Sequence, residues 1–163
     1  MPRRGGAPGH GEKLGHVGTS PTAGPACGLM DIDETFLPTG PMRQISRVTG
    51  VDGPRIIGEV DLGPDHWVFA HHLPGDPIFP GTLMIEAAGQ LVALWAWAGG
   101  QRGRPRLVRA EAAFHHAVRP DVPRIVLRAL IQRRRNIQFA KVSICAEEVE
   151  VGTVEAVLAV LAD

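Results

Sequence analysis

The stretch His72-Leu-Pro-Gly-Asp-Pro-Ile-Phe-Pro-Gly-Thr-Leu-Met-Ile-Glu-Ala-Ala-Gly-Gln90 carries most of what the sequence says about fold and chemistry. Its first half, up to Gly81, holds three prolines and two glycines. The prolines restrict φ at three points and restrict the residues before them, while the glycines permit tight backbone turns. A loop this rigid can hold the His72 imidazole in one place. The second half belongs to a run rich in Leu, Met, Ala and Gln from Thr82 to Ala98, which Gly99 and Gly100 end. Helix is the natural reading. About 17 residues at 1.5 Å give roughly 25 Å of helix. It is apolar nearly all round, as a buried helix is.

Glu86 stands out on that helix. A carboxylate in an apolar, buried setting is expensive to keep ionised, which favours the protonated acid near neutral pH. A proton held in a dry site suits a general acid. Gln90 lies one turn later on the same face, within hydrogen-bonding reach of the carboxyl. His72, with an ordinary imidazole pKa of about 6.5, suits proton abstraction. Gly81 opens the helix, where free N–H groups and the helix dipole favour a developing negative charge. Base, acid and oxyanion site thus fall within fifteen residues of sequence. A Glu turned to solvent at a helix edge is the plain alternative.

Outward from this centre, Gln44–Thr49 and Arg55–Leu62 read as strands around a Val51–Pro54 turn. Trp67–Ala70 reads as a short, apolar, β-prone stretch. After the helix, strands are expected at 106–118, 124–133, 139–146 and 153–161, with a turn near Glu150–Gly152. One buried helix and six or seven mostly antiparallel strands make an α+β fold, not a doubly wound α/β one.

Residues 1–28 are different material. Twelve of them are Gly or Pro, and only Leu14 and Val17 are sizeable aliphatics. They read as a disordered tail ahead of a single domain over 29–163. The chain has 163 residues, net charge zero and two cysteines, Cys27 and Cys145. Those numbers argue against a nucleic-acid binder, a disulfide framework or a zinc cluster, and for a cytoplasmic, metal-free protein. The apolar run Leu83–Ala98 falls short of the roughly 20 residues of a membrane span. The histidines outside the loop, His10, His16, His66, His115 and His116, lack ligand spacing. Fifteen of the seventeen basic residues are Arg. They cluster at Arg102, Arg104, Arg106 and Arg109 and at Arg133, Arg134 and Arg135. Such patches suit an acidic partner, or are simply a solvated strand edge.

The central stretch resembles the 3-hydroxyacyl-[acyl-carrier-protein] dehydratases of the hotdog fold. Their signature is His-x-Pro-Gly-x-Pro-x-x-Pro-Gly, an acidic residue five positions on and a Gln four after that. It is complete here at His72, Pro74, Gly75, Pro77, Pro80, Gly81, Glu86 and Gln90. Weaker similarity covers Pro64–Phe69, Trp97–Gly100 and Phe114–Pro120, so that the likeness spans about 41–161. Glu86 is as in the dehydratase-only branch; the isomerising branch usually has Asp there. His71 stands where Gly or Cys is common, and on an extended strand it would point away from its neighbour.

The resemblance implies one central helix wrapped by an antiparallel sheet. It also implies elimination of water from a 3-hydroxyacyl thioester to give the trans-2-enoyl thioester, in fatty-acid or polyketide biosynthesis. His72 would remove the α proton and Gly81 N–H would bind the thioester oxygen. The Ile78 carbonyl would orient the imidazole, and Glu86 would protonate or position the leaving hydroxyl. No cofactor is implied beyond the phosphopantetheine that carries the substrate. The partners implied are an acyl carrier protein and further copies of the chain in a homodimer or higher homo-oligomer, or a paralogue in a heterodimer; by charge, the acidic carrier would be received at Arg102, Arg104, Arg106, Arg133, Arg134 and Arg135. In the family the histidine comes from one subunit and the acid from the other. Rival readings are a hotdog acyl thioesterase, a dehydratase–isomerase, and a non-catalytic partner subunit of a paralogous dehydratase.

Overall fold

The computed structural model describes residues 36–162. The expected tail over 1–28 lies outside the described residues. Six strands form one antiparallel sheet in the order β1-β2-β4-β5-β6-β3. They are β1 (Arg47–Asp52), β2 (Arg55–Asp61), β3 (Arg104–Phe114), β4 (Arg124–Arg134), β5 (Ile137–Ala146) and β6 (Val149–Leu161). A short helix α1 (Trp67–His71) and the long helix α2 (Gly81–Ala98) lie between β2 and β3.

The sheet curls around α2, which packs against β2, β3, β4, β5 and β6. This is the arrangement that the resemblance implies. Burial explains it. In β4, Ile125, Leu127, Ala129 and Ile131 are buried while Arg124, Arg128 and Leu130 face out. In β5, Gln138, Ala140, Val142 and Ile144 are buried. These period-two faces close on a helix whose Met84, Ala87, Ala88, Leu91, Val92, Leu94 and Trp97 are buried on several sides at once. Among the described residues no helix is long and apolar enough to cross a membrane.

Several expectations are corrected. Trp67–Ala70 is helical, not β. Val68 and Phe69, adjacent in sequence, are both buried, which the alternating faces of a strand disfavour. His66 caps the helix by accepting from Val68 N–H. His71 is therefore the last helical residue rather than a strand neighbour of His72, and its Nδ1 bonds to the Trp67 carbonyl at 2.8 Å. β1 begins at Arg47, because the Gln44 and Ile45 N–H groups go to the Gln90 side chain instead of a ladder. β3 ends at Phe114, and the N–H groups of His115 and His116 both reach the Val151 carbonyl. The expected turn near Glu150–Gly152 lies inside β6. Gly152 is a point of close approach: a Cβ there would stand 2.9 Å from the Ala113 carbonyl oxygen.

Candidate active site

His72 follows directly on α1. Its N–H bonds to the Val68 carbonyl at 2.7 Å, and its Nδ1 lies 3.2 Å from the Ile78 carbonyl oxygen. A carbonyl only accepts, so Nδ1 is the donor in this contact and Nε2 is turned away from it. The loop between is held along its length. Leu73 sits in the left-handed region at φ 48° and its carbonyl accepts from Asp76 N–H. Asp76 pairs with Arg119 at 3.0 Å, and Phe79 N–H bonds to the Val118 carbonyl at 2.8 Å. The buried Phe79 ring packs against the His66 ring, whose pKa burial pushes below the usual histidine value.

The loop delivers the chain to the N-terminus of α2 through Pro80, whose carbonyl accepts the first intrahelical bonds from Leu83 and Met84. Gly81 precedes those donors and stands in the positive end of the helix dipole. A Cβ on Gly81 would lie 2.5 Å from Phe114 Cε2, so glycine is what lets the Phe114 ring rest on the backbone there. Phe114, His115 and His116 join Ile78, Gly81 and Val118 around a cavity of about 290 Å³ at this helix end. The sequence singled out the Phe114–Pro120 segment for its likeness alone and assigned it no place at the site.

Glu86 lies one and a half turns further along α2, half-buried. Its Oε1 accepts from Gln90 Nε2 at 2.8 Å. Gln90 is 4% exposed and fully committed: Oε1 accepts from Gln44 N–H at 2.8 Å and Ile45 N–H at 3.2 Å, and Nε2 also donates to the Met42 carbonyl at 2.7 Å. The two backbone N–H groups settle which end of the amide is oxygen, and so make Nε2 a donor toward Glu86. Oε1 of Glu86 is engaged, and Oε2 has no hydrogen-bond partner among the described residues.

Glu86 lines a cavity of about 270 Å³ between α2, the Phe36–Pro38 segment and the start of β3 at Pro105, Arg106 and Leu107. His72 does not line it. Nor does it line the cavity at the Gly81 end, but its contact with the Ile78 carbonyl, a wall of that cavity, ties the imidazole to the end where β3 finishes, while the carboxyl faces a cavity walled by the beginning of β3. A larger hollow of about 490 Å³ lies on the outer face of the sheet among Arg55, Arg128, Lys141 and Glu155, away from both.

The arginine clusters, separate in sequence, lie on one row of the sheet with β6 and β5 between them. Arg106 is paired with Ala159, Ala159 with Ile137 and Ile137 with Arg134, so one row across three ladders joins the two. Arg102, Arg104, Arg106, Arg133, Arg134 and Arg135 are all exposed. No group of described residues has the make-up of a metal site. Cys145 is a free, half-buried cysteine on β5.

The fold has solved counterparts. One is a chain of the dehydratase heterocomplex ApeI:P from Xenorhabdus doucetiae, with a TM-score of 0.68 at 14% identity, covering 82% of this chain and 93% of that one. Others are a mutant of thioesterase PA1618 from Pseudomonas aeruginosa (TM-score 0.57, 13% identity, 71% and 80% covered) and thioesterase HI1161 from Haemophilus influenzae (TM-score 0.57, 18% identity, 71% and 77% covered). At such identities the likeness is one of fold. Residues 37–155, which take in the His72 loop, α2 and most of the sheet, match the FabA-like domain, and the chain belongs to that family of hotdog proteins.

Proposed function

We propose that the protein is a 3-hydroxyacyl thioester dehydratase, acting on a substrate carried by an acyl carrier protein. His72 Nε2 takes the proton from the carbon next to the thioester. The charge that develops on the thioester oxygen is met by the Gly81 N–H. The bond from the β carbon to its hydroxyl breaks as Glu86 gives it a proton from Oε2. The enoyl thioester and water leave, His72 holds one proton more and Glu86 one fewer, and exchange with solvent restores both.

One observation carries this reading. The Gly81 end of α2 and the Glu86 cavity adjoin opposite ends of the same edge strand. Among the described residues β3 pairs with β6 alone, and Leu107, Val108 and Phe114 on it are exposed. An edge strand whose second side is unpaired is a template for another strand. Two copies joined antiparallel along β3 about a two-fold axis would set the Pro105–Leu107 end of one, with its Glu86 cavity, beside the Phe114 end of the other, with its His72 and Gly81. A register centred on Ala110 also sets Arg109 across from Glu111 of the second copy, opposite charges facing each other. The same pairing puts the arginine row of one copy near the His72 loop of the other. Acidic carrier and phosphopantetheine phosphate would approach there. The thioesterase reading explains a carboxylate on the helix but leaves the oriented imidazole without a task.

The test is complementation. His72→Ala and Glu86→Gln should each lower dehydration of a 3-hydroxyacyl thioester by about a hundred- to ten-thousand-fold. Mixed and allowed to exchange subunits, the two variants should regain roughly a quarter of wild-type activity, the statistical share of intact sites in a two-fold dimer. Turnover near wild type in either variant would overturn the roles assigned. No recovery on mixing would place both residues in one subunit's site.

A further inference from the structure

We infer that Gly89 sets the length of acyl chain this protein accepts, by leaving room for the chain along the face of α2 beyond Glu86. This rests on the dehydratase reading and deepens it.

Ile85, Glu86, Gly89 and Ala93 follow one another at helical spacing and line the same cavity. From Glu86 to Ala93 is seven residues, about 10 Å of helix at 1.5 Å each. Opposite them stand Leu37, Leu107 and Leu158. Polar groups are few and mostly occupied. Gln90 has its amide fully bonded, and Arg106 turns Nη1 to the Pro105 carbonyl at 2.8 Å. A pantetheine arm, with two amides, would find little to bond to here. An aliphatic chain would find apolar walls and a single free carboxylate oxygen at one end, where the hydroxyl leaves.

Gly89 is the informative residue. Glycine inside a helix is destabilising relative to alanine. Where a neighbour presses on the backbone the cost has a structural cause, but among the described residues no atom beyond the helix's own backbone and the adjoining residues lies within 4 Å of where a Gly89 Cβ would stand. The folded chain therefore does not require glycine at this point. The open space is cavity, and a side chain there would occupy volume that a ligand otherwise fills. At about 270 Å³ the cavity is just below the usual range of small-molecule sites, about 300–1,000 Å³, so even one side chain consumes much of it.

The experiment compares Gly89→Ala and Gly89→Leu with wild type on 3-hydroxybutyryl and 3-hydroxyoctanoyl pantetheine thioesters. Melting temperature and oligomeric state are measured alongside. Each clashing methylene should lower kcat/KM for the octanoyl substrate by about ten- to two-hundred-fold. Butyryl turnover should fall far less than octanoyl turnover, and Gly89→Ala should melt no lower than wild type. Equal effects on both substrates, or none, would overturn the inference while leaving the dehydratase reading standing. So would dissociation of the oligomer by Gly89→Leu, which would give the space to a second copy of the chain. Absence of dehydration by wild type on either substrate would instead overturn the reading on which the inference rests.

Discussion

Gln90 and Gln138 offer one substitution in two settings, and the structure separates their outcomes. Both side chains are buried, at 4% and 0% exposure. Gln90→Leu removes four hydrogen bonds and strands the N–H groups of Gln44 and Ile45, in residues only 3% and 2% exposed. A buried donor left unpaired costs about 1–3 kcal/mol, so two of them cost about 2–6 kcal/mol. The Met42 carbonyl and Glu86 add little, since Met42 is half exposed and Glu86 half-buried, and water can replace the lost amide. Set against a typical folding stability of about 5–15 kcal/mol, this is a large fraction. It corresponds to a fall in melting temperature of about 4–24 °C for a chain of this size. Gln138→Leu removes one bond, from its Nε2 to Gln101, together with an Oε1 that has no partner among the described residues. Its stability should stay within about 1 kcal/mol of wild type. Urea and thermal unfolding followed by circular dichroism measure both. Equal losses in the two variants, or a loss below about 1 kcal/mol for Gln90→Leu, would refute the reasoning that Gln90 ties the segment before β1 to the central helix.

Two further outcomes are expected. Burial holds the His66 pKa below its ordinary value of about 6.5, so the unfolded chain binds this proton more readily than the folded one. The stability it contributes is complete above about pH 6.5 and is lost as pH falls from there toward the lower folded value. His66→Asn keeps a capping side chain and should flatten this part of the melting-temperature profile; an unchanged slope would dismiss His66 as its source. The other outcome concerns Glu86, whose extra methylene over Asp shifts the carboxyl by a bond length. Misplacement of that order is costly to catalysis. Incubation with a trans-2 acyl thioester in deuterated water should yield little or no 3-enoyl product; abundant 3-enoyl product deuterated at the α carbon would place the protein with the isomerases.

The central helix and the loop before it were legible from residues near in sequence. Proline, glycine and helix formers act on their own backbone, so Gly81–Ala98 begins and ends within a residue of its expected limits. The alternation in β4 was readable for the same reason: its two faces differ in polarity, residue by residue. Elsewhere packing, a cap or a distant partner decided. Trp67–Ala70 has strand-forming residues but folds as a helix, with Val68 and Phe69 buried together and His66 at its cap. Ile45 looks like a strand residue, yet its N–H is claimed by a side chain 45 positions away. Gly152 reads as a turn and is instead the point where β6 admits Phe114. The site divides along the same line. Residue types and spacing named His72, Gly81, Glu86 and Gln90. Only the tertiary structure set the Glu86 cavity at one end of β3 and the His72–Gly81 end at the other, because strand order and register come from pairings between residues far apart in the chain.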